Sequence, residues 1–425
     1  MTKNIFQIKF LALFILLLIA FVRSPYIFLK GRFMYGDAFF YVNSINNNWY
    51  ESLFLTHIEA GYINLFSNIS SVINAKIINI EYAPLFNVYF CFLLIIILIS
   101  LVLFSNIILF KSNFQKYLVC VLLLIAPPFV FEIWLDALNA QTYLGIITFV
   151  ILFIEYEKKI QLYLNPVILV IAGLSGIYSC LLTPLFIIKY YFNRRLINLI
   201  NSSILLLTSL VQLTIIFISK SSNTLYHGKL DFSISSSEFI SFSYNVLVRT
   251  FFSGTFPNYI VSNFKDLKND KDIIFIISIL VFLLFIIFFI FFIKKIIESD
   301  KEQKIIFLTL IYFFLSSTFL VIVGGVNDGI NGRYAVVPGT CLLLITFILS
   351  FDEKKNFLNY ISICLLISIF ITGALDFRNQ KHITYFDCID CPHWKDEIKK
   401  LKINKEYKVK VWPYTENKKI QINIE

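Results

Sequence analysis

Apolar residues in this chain arrive in long runs separated by short basic stretches, and the runs dictate the architecture. The first extends from Phe10 to Val22; others cover about 86–110, 117–135, 142–154, 166–188, 203–219, 273–293, 305–323, 334–350 and 357–372. Runs of roughly 18 or more apolar residues are the mark of membrane helices. The pattern predicts an all-α polytopic membrane protein, a bundle of roughly 9–11 transmembrane helices occupying residues 1–375. Two polar stretches interrupt it, 31–85 and 221–272, and a Lys-rich tail, 376–425, follows it, with Val409–Trp412 and Ile420–Ile424 reading as short strands. In the first of these stretches, Glu51–Ser71 is expected to form an amphipathic helix lying on the membrane, with Leu55, Ile58 and Tyr62 toward lipid.

Basic residues orient the bundle. Lys3 and Lys9 precede the first run, as in a secretory signal peptide, but Arg23-Ser24-Pro25 follows it where a small-x-small cleavage site would stand. The expectation is an uncleaved first span with its N-terminus in the cytoplasm and the 31–85 loop outside, placing the protein in a bacterial inner membrane. Lys111 and Lys116, Lys158-Lys159, Lys189 with Arg194-Arg195, Lys294-Lys295 and Lys354-Lys355 all flank apolar runs and belong inside. Both ends of the 166–188 run are therefore cytoplasmic, which a single crossing cannot satisfy. Gly173, Gly176 and Pro184 within it would allow a re-entrant hairpin, the alternative being a misassigned neighbouring span. Nine full crossings plus the hairpin put the tail outside.

Composition adds little to this frame. The chain is 58% hydrophobic and 15% charged, against about 25% charged residues in a soluble domain, and its mean hydropathy is +0.76. The net charge of +10 sits in loops beside spans, as the positive-inside rule requires, and not on a soluble basic patch, so nucleic-acid binding is excluded. Cys91, Cys120, Cys180, Cys341 and Cys364 lie within apolar runs and read as small buried hydrophobes. Cys388 and Cys391 are polar-flanked; with no second pair and no thioredoxin-like context they read as a structural disulfide or free thiols.

The residues that could carry chemistry cluster at outer span ends. Asp37 stands just beyond the first span, where a carboxylate is costly unless solvated, paired or used. His57 and Glu59 could contact a sugar, or form an ordinary polar face. Glu132 and Asp136, four apart, are expected on one helix face, as a plain polar turn or as oxygen ligands for Mg²⁺ or Mn²⁺. Arg333 follows a Gly-rich turn, 324–332, and could hold a phosphate with its planar fork or snorkel to the interface. Arg249, in the 221–272 loop, is the second cationic candidate.

Tyr35-Gly-Asp-Ala-Phe-Phe-Tyr after the first span and Glu59-Ala-Gly-Tyr-Ile-Asn-Leu resemble the first outer loop of GT-C superfamily glycosyltransferases. Three further stretches are similar to uncharacterised bacterial members: Glu132-Ile-Trp-Leu-Asp-Ala-Leu-Asn-Ala-Gln, Arg333-Tyr-Ala-Val-Val-Pro, and Cys391-Pro-His-Trp with Val411-Trp-Pro. The resemblance implies a membrane enzyme that moves sugar from a polyprenyl phosphate to an extracytoplasmic glycan, lipid or protein. It implies Asp37 as general base, Arg333 with Arg249 on the phosphate, and Glu59 or His57 on the sugar. Many members carry a second acid where this chain has Gly36. The rival readings are a flippase or transporter of lipid-linked glycans, a polysaccharide polymerase, or a non-catalytic subunit of a glycan-assembly complex. A transporter would place ionisable groups at mid-bilayer, whereas here they gather at span ends.

Overall fold

The computed structural model describes residues 2–57, 61–125, 133–156, 159–221, 242–252, 271–324, 332–353, 356–377, 393–412 and 419–422. Among them seven helices are long and apolar enough to cross a membrane, joined by one sharply bent helix pair. Strands occur only as two-residue pairs among the described residues. The protein is thus an all-α polytopic membrane protein. It divides into two compact units: Met1–Ile107 with Phe131–Gly228 and Gln380–Glu425, and Ile108–Val130 with Lys229–Asn379.

In the first unit, α1 (Thr2–Arg23) is the opening span. Ser24 breaks it and Pro25, at the first position of α2 (Pro25–Lys30), restarts the helix. Gly31 closes α2 at φ +74°, ψ 163°, a conformation essentially reserved for glycine. The loop then forms α3 (Tyr35–Asn46), α4 (Trp49–Leu53), a hairpin of β1 (Thr56–His57) and β2 (Tyr62–Ile63), and α5 (Leu65–Lys76). The single surface helix expected over 51–71 is therefore replaced by two helices and a hairpin. The reason is local: Asn48 and Glu51 cap α4 reciprocally, Asn64 caps α5 separately, and Gly61 turns between them at φ +72°. Most of α5 is buried, packed on α3, so it is no membrane-lying helix.

α6 (Ala83–Phe104) returns across the membrane, followed by β3 (Asn106–Ile107). α7 (Asn113–Ile125) belongs to the second unit and is shorter than the predicted 117–135 span; Pro127-Pro128 lies outside the described residues. α8 (Ala140–Leu152) leads to β4 (Ile154–Glu155), which pairs with β3, so α6 and α8 end at one level. α9 (Lys159–Gly173) is then answered by α10 (Ile177–Cys180) and α11 (Thr183–Phe192) after a bend of 119° at Gly176, φ +132°. The far end of α11 lies beside the start of α9. Lys189 donates to the carbonyls of Leu152 and Ile154 and sits 5.6 Å above the Tyr156 ring. The 166–188 run is thus broken near Gly176 and is not one straight helix. α12 (Leu196–Ser221) braces the hairpin through Gln212, whose amide donates to the Gly173 carbonyl (3.2 Å).

The second unit contains α13 (Arg249–Phe252), α14 (Lys271–Glu298), α15 (Lys301–Gly324), α16 (Val336–Ser350) and α17 (Phe357–Asp376). Lys295 at the end of α14 forms a buried ion pair with Asp352 just past α16, and Lys111 reaches Glu353 (3.0 Å). These contacts gather one set of helix ends of this unit at one level.

The tail packs back into the first unit. α18 (Trp394–Ile403), β5 (Val409–Lys410) and β6 (Lys419–Ile420) share a core with the first loop: Phe33, Ala38 and Tyr41 meet Trp394, Ile398, Leu401, Val409 and Val411. Trp412 extends the contact as a one-residue bridge. Its N–H donates to the Phe33 carbonyl and its carbonyl accepts from Tyr35 N–H, each at 3.1 Å. Phe33 and Trp394 meet edge to face at 5.1 Å, a geometry contributing about 0.5–1.5 kcal/mol beyond the area buried. A shared core requires a shared compartment, so the first loop and the tail lie on the same side of the membrane.

Candidate active site

Asp37 lies in the first turn of α3 and is 3% exposed. Its Oδ2 accepts from Asn87 Nδ2 (2.8 Å) and its Oδ1 from Leu138 N–H (3.0 Å). Asn87, on α6, is in turn held by the Ser70 hydroxyl of α5, which donates to its Oδ1 (2.7 Å). Asp136, 2% exposed, comes from the turn before α8 and is close enough to share a hydrogen bond with Asp37. Two carboxyl groups thus meet in a site from which water is excluded. Burial first, then the charge and hydrogen bond of Asp136, hold the Asp37 carboxyl well above the usual carboxylate range; Leu138 N–H and the Arg32 guanidinium oppose this without cancelling it. The Asp37 carboxyl is thereby biased toward its protonated form.

The turn that delivers Asp136 is not the helix face the sequence suggested. Ile133–Leu135 form a turn, Leu135 adopts φ 55°, and Asp136 precedes α8 by four residues. Its carbonyls are taken by side chains instead of by a next helical turn. Arg32 Nη2 donates to the Trp134 carbonyl (2.6 Å) and Asn64 Nδ2 to the Leu138 carbonyl (2.9 Å). Trp134 is buried, donates its indole N–H to Ser24 Oγ (2.7 Å) and lies under the Arg23 guanidinium at 4.8 Å. Asn139 donates to Asp136. Elements 100 residues apart in sequence are therefore locked around the two acids by polar contacts.

Gly36 packs against the tip of a flexible side chain. A Cβ there would fall 2.3 Å from Leu138 Cδ2. The second carboxylate beside Asp37 comes from Asp136, not from the neighbouring position in sequence. No group of three or more His, Cys, Asp or Glu side chains suited to a metal ion occurs among the described residues.

The remaining predicted residues fall elsewhere. His57 is on β1; Glu59, Glu132, Cys388 and Cys391 lie outside the described residues, as does most of the Gly-rich 324–332 turn. Arg333 belongs to the second unit, on a single 3₁₀ turn, Gly332–Ala335. Its guanidinium donates to the Tyr334 hydroxyl (3.1 Å) and covers that ring at 4.9 Å. Arg249 caps the π-helical turn Ser243–Val248, which packs against the Arg333 turn, and stacks over Tyr244 at 5.2 Å. Sequence reasoning missed Arg32 and Asn87. Each had a signal: a cation five residues before Asp37, and an amide inside an otherwise apolar span.

No protein-family model, curated protein or solved structure matches this chain.

Proposed function

We propose that the protein is a membrane glycosyltransferase that passes a sugar from a polyprenyl-phosphate donor to an acceptor hydroxyl on the extracytoplasmic face. What supports this reading is the pairing of Asp37, immediately beyond the first span, with Asp136 from the turn before α8, beside Arg32. Two carboxyl groups sharing a site can hold one in its basic form next to a protonated partner. In the reaction, the acceptor oxygen forms its bond to the anomeric carbon as the carbon–oxygen bond to the phosphate breaks, inverting the centre. The hydroxyl proton passes to Asp37 in its ionised form, a stronger base for its raised proton affinity, and the lipid phosphate departs as an anion needing nearby cations. Arg32 stands beside the acids and supplies such a cation. Because Leu138 N–H caps Asp37, the acceptor reaches it by displacing the 133–139 turn.

The test is transfer of sugar from radiolabelled polyprenyl-phosphate donors in membranes carrying the wild-type chain or Asp37→Asn. Removal of a general base typically costs about 10²–10⁴-fold in rate. Undiminished transfer by Asp37→Asn would reject the mechanism.

A further inference from the structure

A cavity of about 300 Å³ lies between the α2 segment, the start of α6 and the tail. Its wall is cationic: Lys30, Arg32, Lys395, Lys399 and Lys410 all contribute, against two carboxylates. Neither acid is spare, because Asp396 pairs with Lys399 (3.3 Å) and Glu81 with Lys402 (2.6 Å) outside the lining. The inner end is formed by Arg32, 6% exposed and stacked at 5.0 Å on the Trp412 ring. The lining is also partly apolar, and it lies next to the start of the α6 span. Leu29, 67% exposed, and Leu85, in the first turns of α6, flank the opening.

A wall of fixed cations beside an apolar lip at a membrane boundary suits one chemistry, an anionic head on a hydrocarbon tail. We propose that this cavity binds the phosphate head group of a lipid, with Lys30, Arg32 and Lys395 on the phosphate and Leu29 and Leu85 against the first methylenes. The proposal rests on the transferase reading and deepens it. It assigns the lipid phosphate to a site half-built by the C-terminal tail and joined to the acid pair through Arg32, whose guanidinium also holds the Trp134 carbonyl two residues from Asp136. A water-borne phosphate shares the head-group chemistry but would not use the apolar lip.

The test uses the full chain purified in neutral detergent, titrated separately with farnesyl phosphate, farnesol and inorganic phosphate. Binding is read from the fluorescence of Trp394 and Trp412, both in the cavity wall, and from the thermal midpoint. Farnesyl phosphate should saturate the signal, farnesol should leave it unmoved at equal concentration, and inorganic phosphate should bind at least about tenfold more weakly. Lys30→Glu and Lys395→Glu, both at exposed positions, should weaken farnesyl phosphate at least about tenfold while leaving the ligand-free midpoint unchanged. Equal binding of farnesol, or wild-type affinity in both charge reversals, overturns the site. Equal binding of inorganic phosphate overturns its assignment to a lipid. Asp37→Asn separates the two proposals. Farnesyl phosphate binding with intact transfer in that variant rejects Asp37 as the base and keeps the cavity; lost transfer with no farnesyl phosphate binding in either form overturns the cavity and keeps the transferase.

Discussion

Asp37→Asn also makes a prediction about stability whose sign changes with pH. Asparagine has the shape of a protonated aspartic acid, so at acidic pH, where Asp37 carries its proton folded or unfolded, the substitution alters only hydrogen bonding. Its carbonyl oxygen can still accept from Leu138 N–H, but its amide now faces the Asn87 Nδ2 that donates to Oδ2. A buried donor left without an acceptor costs about 1–3 kcal/mol, so the variant is the less stable protein there. Above the ordinary aspartate value of 3.8 the balance moves. The unfolded chain releases the proton while the folded one keeps it, because burial and Asp136 raise the folded value. Wild-type stability then falls with rising pH by about 1.4 kcal/mol per unit until the folded value is reached, whereas Asn is indifferent. The variant's deficit therefore shrinks as pH rises and gives way to an advantage once the wild-type loss exceeds the first cost. Chemical denaturation in detergent from pH 4 to pH 8 measures the difference directly. A gap between wild type and variant that stays constant over that range would show that Asp37 holds no extra proton, and the reasoning about the acid pair would fail with it.

Two further outcomes follow from the geometry. Gly31→Ala puts a Cβ 2.5 Å from the backbone nitrogen of Leu85 in a conformation disfavoured for alanine; backbone strain of about 1–3 kcal/mol and overpacking of about 1–3 kcal/mol should lower the unfolding midpoint by several degrees. Gly36→Ala meets only the mobile tip of Leu138 and should change the midpoint far less, so equal effects in the two variants would contradict the described packing. Single cysteines placed at Asn47 and Lys399 should react with an impermeant maleimide from the same side of the membrane; labelling of the two from opposite sides would refute the shared core.

The bend in the 166–188 run was legible in Gly173 and Gly176. Seven spans were legible because lipid tolerates few backbone solutions, whereas the 117–135 and 142–154 runs yield only the shorter helices α7 and α8. Asp37 was legible for the same reason, as a charge at a span mouth. What eluded the sequence was everything set by distant partners. Asp136 reads as a helical neighbour of Glu132 until Leu135 takes a left-handed conformation that Arg32 and Asn64 stabilise from other segments. The 51–71 helix failed because apolar spacing outweighed the two asparagine caps in that reading, though both caps are visible in the sequence. The tail's strands were foreseen, but nothing in their pattern disclosed that Trp412 beside them would bridge to Phe33 and Met34.

The core joining Phe33 and Tyr41 to Trp394 and Val411 has a consequence for biogenesis. Its two halves are made at opposite ends of synthesis, so the early half waits, uncovered, while every intervening helix is inserted. One helix threaded wrongly would leave the last segment stranded in the other compartment, and the aromatic face would never be capped. The domain therefore closes only on chains whose insertion has succeeded throughout, and an exposed Phe33–Tyr41 surface marks those whose insertion has not.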